Sequence, residues 1–191
     1  MARSLSNLVF LVCLAAASRT GAAPPMTLVA QGHYDNRAQT AKTPGNSEHA
    51  MPQVEVSIEA TPQEDISLWH VHLQAEADAA SDQTWAMQTR TEYDGSIALI
   101  PYFQLKQVAP AAAAGFDAHD WLSLEGCALR GEVGRKHVRI QADGMPCAVV
   151  SMNVGPRRAL LPVGIEREGS RLRLDFDLGG KRARIELNRR D

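Results

Sequence analysis

The stretch "RLRLDFDL" at residues 171–178 sets the strongest limit on what this chain can fold into. Leu172, Leu174, Phe176 and Leu178 alternate there with Arg171, Arg173, Asp175 and Asp177. Successive side chains of a strand point to opposite faces, so this spacing puts four apolar groups on one side and four charges on the other. "SLWHVHLQA" (67–75) repeats the pattern through Trp69, Val71 and Leu73, and "VEVSIEA" (54–60) through Val54, Val56 and Ile58. Further alternating stretches are "TWAMQTRT", "SIALIPYFQL", "HVRIQA", "CAVVSMNV", "ALLPVGI" and "RARIEL". Turn residues separate them: Asp94-Gly95, Gly134 with Arg135 and Lys136, Asp143-Gly144 and Gly179-Gly180. Nine or ten strands at this short spacing predict an all-β protein, a single antiparallel β-barrel that closes or nearly closes, running from about residue 54 to the end.

Little of the chain suits a helix. "VAPAAAAGFDAHDW" (108–121) offers one or two turns between Pro110 and Gly115, and "TAKTPGNSEHAMP" (40–52) reads as a polar loop. Neither an internal repeat nor a domain boundary is visible.

The first residues carry Arg3, an apolar run from Leu8 to Ala17, and small residues before Pro24 and Pro25. That is the order of a secretory signal peptide. The run is too short for the roughly 20 residues needed to span a bilayer. We expect residues 1–23 to be a leader and residues 24–191 one exported barrel domain, periplasmic or secreted, with no membrane span after leader removal. The chain has 20 basic and 22 acidic residues; losing Arg3 and Arg19 leaves 18 basic residues and a net charge near −4. That balance gives no reason to expect nucleic acid as a partner.

Cys13 leaves with the leader, and Cys127 and Cys147 remain. An oxidising compartment favours pairing them, and closing a loop of about 20 residues stabilises by roughly 3 kcal/mol on the chain-entropy model. Two buried thiols are the alternative; a metal pair lacks a third ligand at zinc-like spacing.

The polar candidates are few. His70 and His72 share one face of a strand, but alternation against Trp69, Val71 and Leu73 turns both outward. Ten basic residues lie between Arg157 and Arg190. Arginines facing a cavity would suit ligand carboxylates, since the guanidinium fork pairs with them bidentately. Most sit opposite Leu or Ile and should face solvent, with Arg157 and Arg158 at a strand mouth as the exceptions. In "LIPYFQLK", Pro101 fits an edge, a bulge or a bend, and a bend would turn Tyr102 or Phe103 into the barrel.

"GHYDNRAQ" near the start, "PYF" in the middle strand, "EGCALRGEV" and a second cysteine twenty residues on resemble the phycobilin (chromophore) lyases of the CpcT/CpeT type. The matching positions are Gly32, Asn36 and Gln39; Pro101 and Tyr102; Gly126 and Cys127; and Cys147. The resemblance runs from about residue 28 to the end, and its specificity lies in the shared order of the motifs.

The resemblance implies a calycin-type up-and-down barrel that binds a tetrapyrrole (bilin)-like ligand and presents it to a cysteine of an acceptor protein, with no metal or other cofactor. Together with the arginine reading above, it implies a ligand site built from Tyr34 near the cavity mouth, Asn36, Gln39, Tyr102, Phe103, Arg157 and Arg158, with Asn36 and Gln39 either meeting the ligand or tying the leading segment to a neighbouring strand; no catalytic residue can be named. Two features depart from the family. Phe103 stands where the family's Pro-Tyr-Arg motif has arginine, so a cation that would meet a propionate is missing. The leader directs the chain out of the compartment where antenna proteins receive bilins. Both point to a member whose transfer reaction is lost or changed. Two other classes fit the residues: a non-catalytic exported carrier of a lipid or other apolar molecule, and an envelope interaction module with a filled barrel. An aromatic content of 5 % leans towards these.

Overall fold

A computed structural model describes residues 28–42, 52–74, 80–104, 116–134, 137–142, 161–177 and 182–190. Eleven strands make one sheet: β1 (Gly32–Asp35), β2 (Gln53–Ala60), β3 (Ile66–Gln74), β4 (Ala80–Thr91), β5 (Ile97–Gln104), β6 (Trp121–Ser123), β7 (Leu129–Val133), β8 (His137–Ala142), β9 (Pro162–Glu168), β10 (Arg171–Asp177) and β11 (Arg182–Arg190). A single-turn helix, α1 (Arg37–Thr40), follows β1. Every pairing is antiparallel; each strand pairs with its neighbour in sequence except that β7 pairs with β5 past β6, and β1 pairs with β11. The result is a closed up-and-down barrel of ten strands, with β6 as a short addition on β5. Closure pairs both edges of each of the ten strands and leaves only the short β6 at an edge among the described residues.

Alternation positions the core. Ile58, Trp69, Trp85 and Phe103 stand opposite one another across β2 to β5 and face inward. Val138, Ile140, Ile165, Leu172, Leu174, Phe176, Ile185 and Leu187 fill the other side and are almost fully buried. Each large apolar side chain removed from water contributes about 1.5–3 kcal/mol. The indole N–H groups of Trp69 and Trp85 donate to Ser67 Oγ (3.0 Å) and Gln83 Oε1 (3.2 Å), two residues earlier on the same strands. Neither donor is left unpaired in the core.

Pro101 lies within β5 where the partner strand changes. Tyr102 to Gln104 pair with β6, and Ile97 to Leu99 with β7. Between these the neighbouring chain bulges through a 3-10 turn, Glu125–Cys127, and Leu124 N–H donates to Pro101 O at 2.9 Å. The donor that proline lacks falls where the bulge removes an acceptor, which accords with the bulge or bend expected there.

Tight turns sit at one end, which we call the near end, together with the start of β1 and the end of β11. Gly95 (φ 82°) between β4 and β5, and Gly169 (φ 59°) between β9 and β10, take the left-handed conformation these turns need. Three strands escaped the alternation pattern: β1, β6 and β7. The anticipated strand at 147–154 lies outside the described residues. Within 108–121 the described part forms only a 3-10 turn, Ala118–Asp120, leading into β6.

Candidate functional site

The two amides of "NRAQ" close the barrel seam. β1 ends at Asp35, its last partner on β11 being Asn188. The chain then turns into α1 and abandons both neighbours. Asn36, 0 % exposed, takes over on the β2 side: Val54 N–H donates to Asn36 Oδ1 at 2.8 Å, and Asn36 Nδ2 donates to Pro52 O at 2.8 Å. Gln39 takes over on the β11 side: Glu186 N–H donates to Gln39 Oε1 at 2.9 Å, and Gln39 Nε2 donates to Arg184 O at 3.2 Å. Backbone groups left behind by a departing strand would otherwise lack partners. Both amides therefore tie the leading segment to its neighbouring strands, the structural role the sequence suggested for them beside ligand contact.

Tyr34 faces inward on β1, opposite Arg189 on β11 and Val56 on β2. It is 4 % exposed, and its hydroxyl donates to Ala30 O at 2.7 Å. Burial pushes its phenol above the ordinary value, and the positive charges of Arg189 and Arg167 act against that rise. Both guanidinium groups thus reach Tyr34 electrostatically. Arg189 follows the inward Leu187 by two residues and stands at the rim. Gly32 (φ 142°) keeps space for it, because a Cβ at position 32 would come within 2.9 Å of Arg189 Nε. Arg167 follows the inward Ile165 by two residues, opposite Leu172 on β10 and Val138 on β8. Its Nε is buried with no hydrogen-bond partner.

A depression of about 490 Å³ opens at this near end, lined by Gln31, Gly32, His33, Ser57, Ile58, Glu59, Ala60 and Arg189. The inward alternation of the described strands carries no Asp or Glu. Among the described residues, neither Arg167 nor Arg189 has an acidic partner.

The outward arginines differ. Arg184 forms a two-pronged pair with Asp175 (2.8 and 2.9 Å), which holds its guanidinium further above an already high range. Arg173 lies between Glu166 (3.6 Å) and Glu186 (3.4 Å). Arg190 contacts Asp35, and Arg37 donates to Glu55 at 2.9 Å. His70 and His72 also face outward, against Thr84 (3.2 Å) and Asp82 (2.7 Å). Among the described residues no cluster of three metal-ligating side chains occurs.

The Tyr-Phe pair divides between the faces. Tyr102 is on the outer face, donating to Gln88 Oε1 at 2.8 Å and meeting Phe116 edge-on at 5.2 Å. Phe103 is inward, opposite Trp85 and packed on the core. It lies near the end of β5, three strands from Ile58 in one cross-strand row and outside the lining of the depression, opposite Leu122, which is 41 % exposed. Cys127 is a free, buried thiol, and no disulfide occurs among the described residues. Cys147, Arg157 and Arg158 lie outside the described residues.

Arg167 and Arg189 belong to the basic run expected to face solvent, although the signal for an inward facing was present in "IER" and "LNR", each with an arginine two residues after a buried aliphatic. No protein-family model, curated protein or solved structure matches the chain. No helix of the described residues is long and apolar enough to cross a membrane. Chemically, the near end offers two arginines with no acidic partner among the described residues, Arg189 at a rim where Ile58 and Ala60 stand among Gln31, His33, Ser57 and Glu59, which suits an anion carried on an apolar body.

Proposed function

We propose that this protein is an exported β-barrel that binds an apolar, carboxylate-bearing molecule of the tetrapyrrole type at its near end and does not transfer it to an acceptor. The observation that carries the reading is Arg189 standing over the depression beside Ile58 and Ala60, a cation next to apolar wall. Trp69, Trp85 and Phe176 fill the barrel body, so the ligand is held at the mouth and not within a deep cavity. Loss of transfer follows from Phe103, which supplies no cation where the resembling family has arginine and does not line the depression.

The packed body also favours a second reading, an envelope interaction module without a small ligand. An absorbance titration with biliverdin and with haem separates the two. The binding reading expects a saturable, stoichiometric spectral shift with biliverdin, weaker for its dimethyl ester, and no pigment retained after denaturation with a cysteine-bearing acceptor. A featureless titration with both pigments would leave the interaction module standing.

A further inference from the structure

We infer that Arg167 and Arg189 form a two-arginine clamp for a single carboxylate on the inner face of the near end, with Tyr34 beside it. The inference deepens the binding reading and rests on it for the choice of mouth.

Four observations point to the clamp. Both residues are inward by register: Arg189 opposes Tyr34, and Arg167 opposes Leu172 and Val138. Register brings them to one end: Arg167 opposes Leu172, Leu172 opposes Leu187, and Arg189 follows Leu187 by two residues, and both charges act against the rise of the buried Tyr34 phenol. The inward positions of the described strands hold no carboxylate that would neutralise them. And Arg167 buries its Nε–H without a partner. An unpaired buried donor destabilises a fold, so an incoming acceptor at that atom gains more than it would in water. Two like charges near a low-dielectric interior repel, and an anion between them removes that repulsion.

The chemical class follows from the surroundings. The guanidinium fork fits any oxyanion with two oxygens, carboxylate or phosphate. Leu172, Val138 and Val56 on the inner wall, and Ile58 and Ala60 at the rim, favour a monoanion on an apolar chain. A dianionic phosphate would need more donors than two guanidiniums set in apolar wall. Tyr34 does not compete for the ligand with its proton, because its hydroxyl already donates to Ala30 O. Glu59 lines the depression from the outer face and sets a negative limit on how much charge the ligand can carry past the rim.

The test is calorimetric titration of the leaderless protein with hexanoate, hexanamide and inorganic phosphate, in the wild type and in Arg167→Met and Arg189→Gln. Hexanoate should bind more tightly than hexanamide and than phosphate. Each variant should weaken hexanoate by at least about tenfold, the loss of one charged hydrogen bond, while hexanamide is unchanged. Without ligand, Arg167→Met should melt above the wild type, which a merely structural arginine would not do. Equal binding of hexanoate and hexanamide, or an unchanged hexanoate affinity in both variants, overturns the clamp; phosphate binding more tightly than hexanoate overturns its carboxylate class. If Arg167→Met does not fold, Arg189→Gln at the exposed rim decides alone. Hexanoate binding without any biliverdin signal would keep the clamp and remove the tetrapyrrole reading. A saturable biliverdin signal, weaker for the dimethyl ester, that is unchanged in both variants and is accompanied by no hexanoate binding would do the reverse.

Discussion

Strands β9 to β11 present arginine on both faces of the barrel wall, and the two faces treat it differently. Outside, Arg173 and Arg184 each meet acids on neighbouring strands, in a ladder of Glu166, Asp175 and Glu186. Inside, Arg167 and Arg189 occupy the alternate register with no acid partner among the described residues. Exposed pairs contribute little, about 0.2–1 kcal/mol each. An unpaired buried donor costs about 1–3 kcal/mol. The outer arginines are thus accounted for by solubility and cross-strand pairing, while Arg167, with its Nε buried and unpaired, opposes stability and Arg189 stands exposed at the rim without an acid among the described residues; both require another reason to be there. One step of register separates a structural cation from a binding one.

This contrast can be broken or sharpened by substitution. The largest effect is expected at Leu172, which is buried opposite both Arg167 and Leu187. Leu172→Ala should lower the unfolding free energy by about 2–5 kcal/mol, measured by urea denaturation; a loss near that of an outer charge would mean that the inner wall is not packed around Arg167. Arg167→Met should move the other way, gaining about 1–3 kcal/mol, and a loss of stability in the same assay would show that the guanidinium has a partner after all.

Tyr34→Phe comes next, at about 0.5–1.5 kcal/mol for the hydrogen bond to Ala30, and it carries a pH signature. The folded phenol ionises above its unfolded value of 10.0. Its contribution is therefore full below that pH and is lost as pH rises through it towards the folded value. The alkaline decline of stability should be shallower in Tyr34→Phe than in the wild type; parallel curves would count against a buried phenol. The smallest effect is expected at Arg184→Ala, below about 1 kcal/mol because the side chain is half exposed, and it should shrink further in added salt.

Much of this was legible in the sequence, and the reasons are local. "RLRLDFDL", "SLWHVHLQA" and "HVRIQA" alternate over six residues or more, so β10, β3 and β8 could be read directly. β1 is four residues with a glycine and an aspartate, too short for a period to emerge, and its neighbour β11 lies at the other end of the chain. β6 and β7 act as one strand broken by the bulge at Glu125–Cys127, which destroys the alternation the eye relies on. That Asn36 and Gln39 tie the leading segment to neighbouring strands was legible, but which strands they join is a fact of closure that no stretch of sequence carries. Arg167 and Arg189 were readable from Ile165 and Leu187, but the basic run around them, mostly outward, hid two residues of opposite facing.

The most direct test of the central claim is the nitrogen-15 spectrum of the arginine Nε–H groups during addition of hexanoate. Arg167 should show a protected Nε–H in the free protein, absent in Arg167→Met, that shifts progressively with hexanoate and stays still with hexanamide, while the Nε–H of Arg184 moves with neither. An Arg167 resonance that exchanges freely with solvent, or that ignores hexanoate at saturating concentration, would contradict the account.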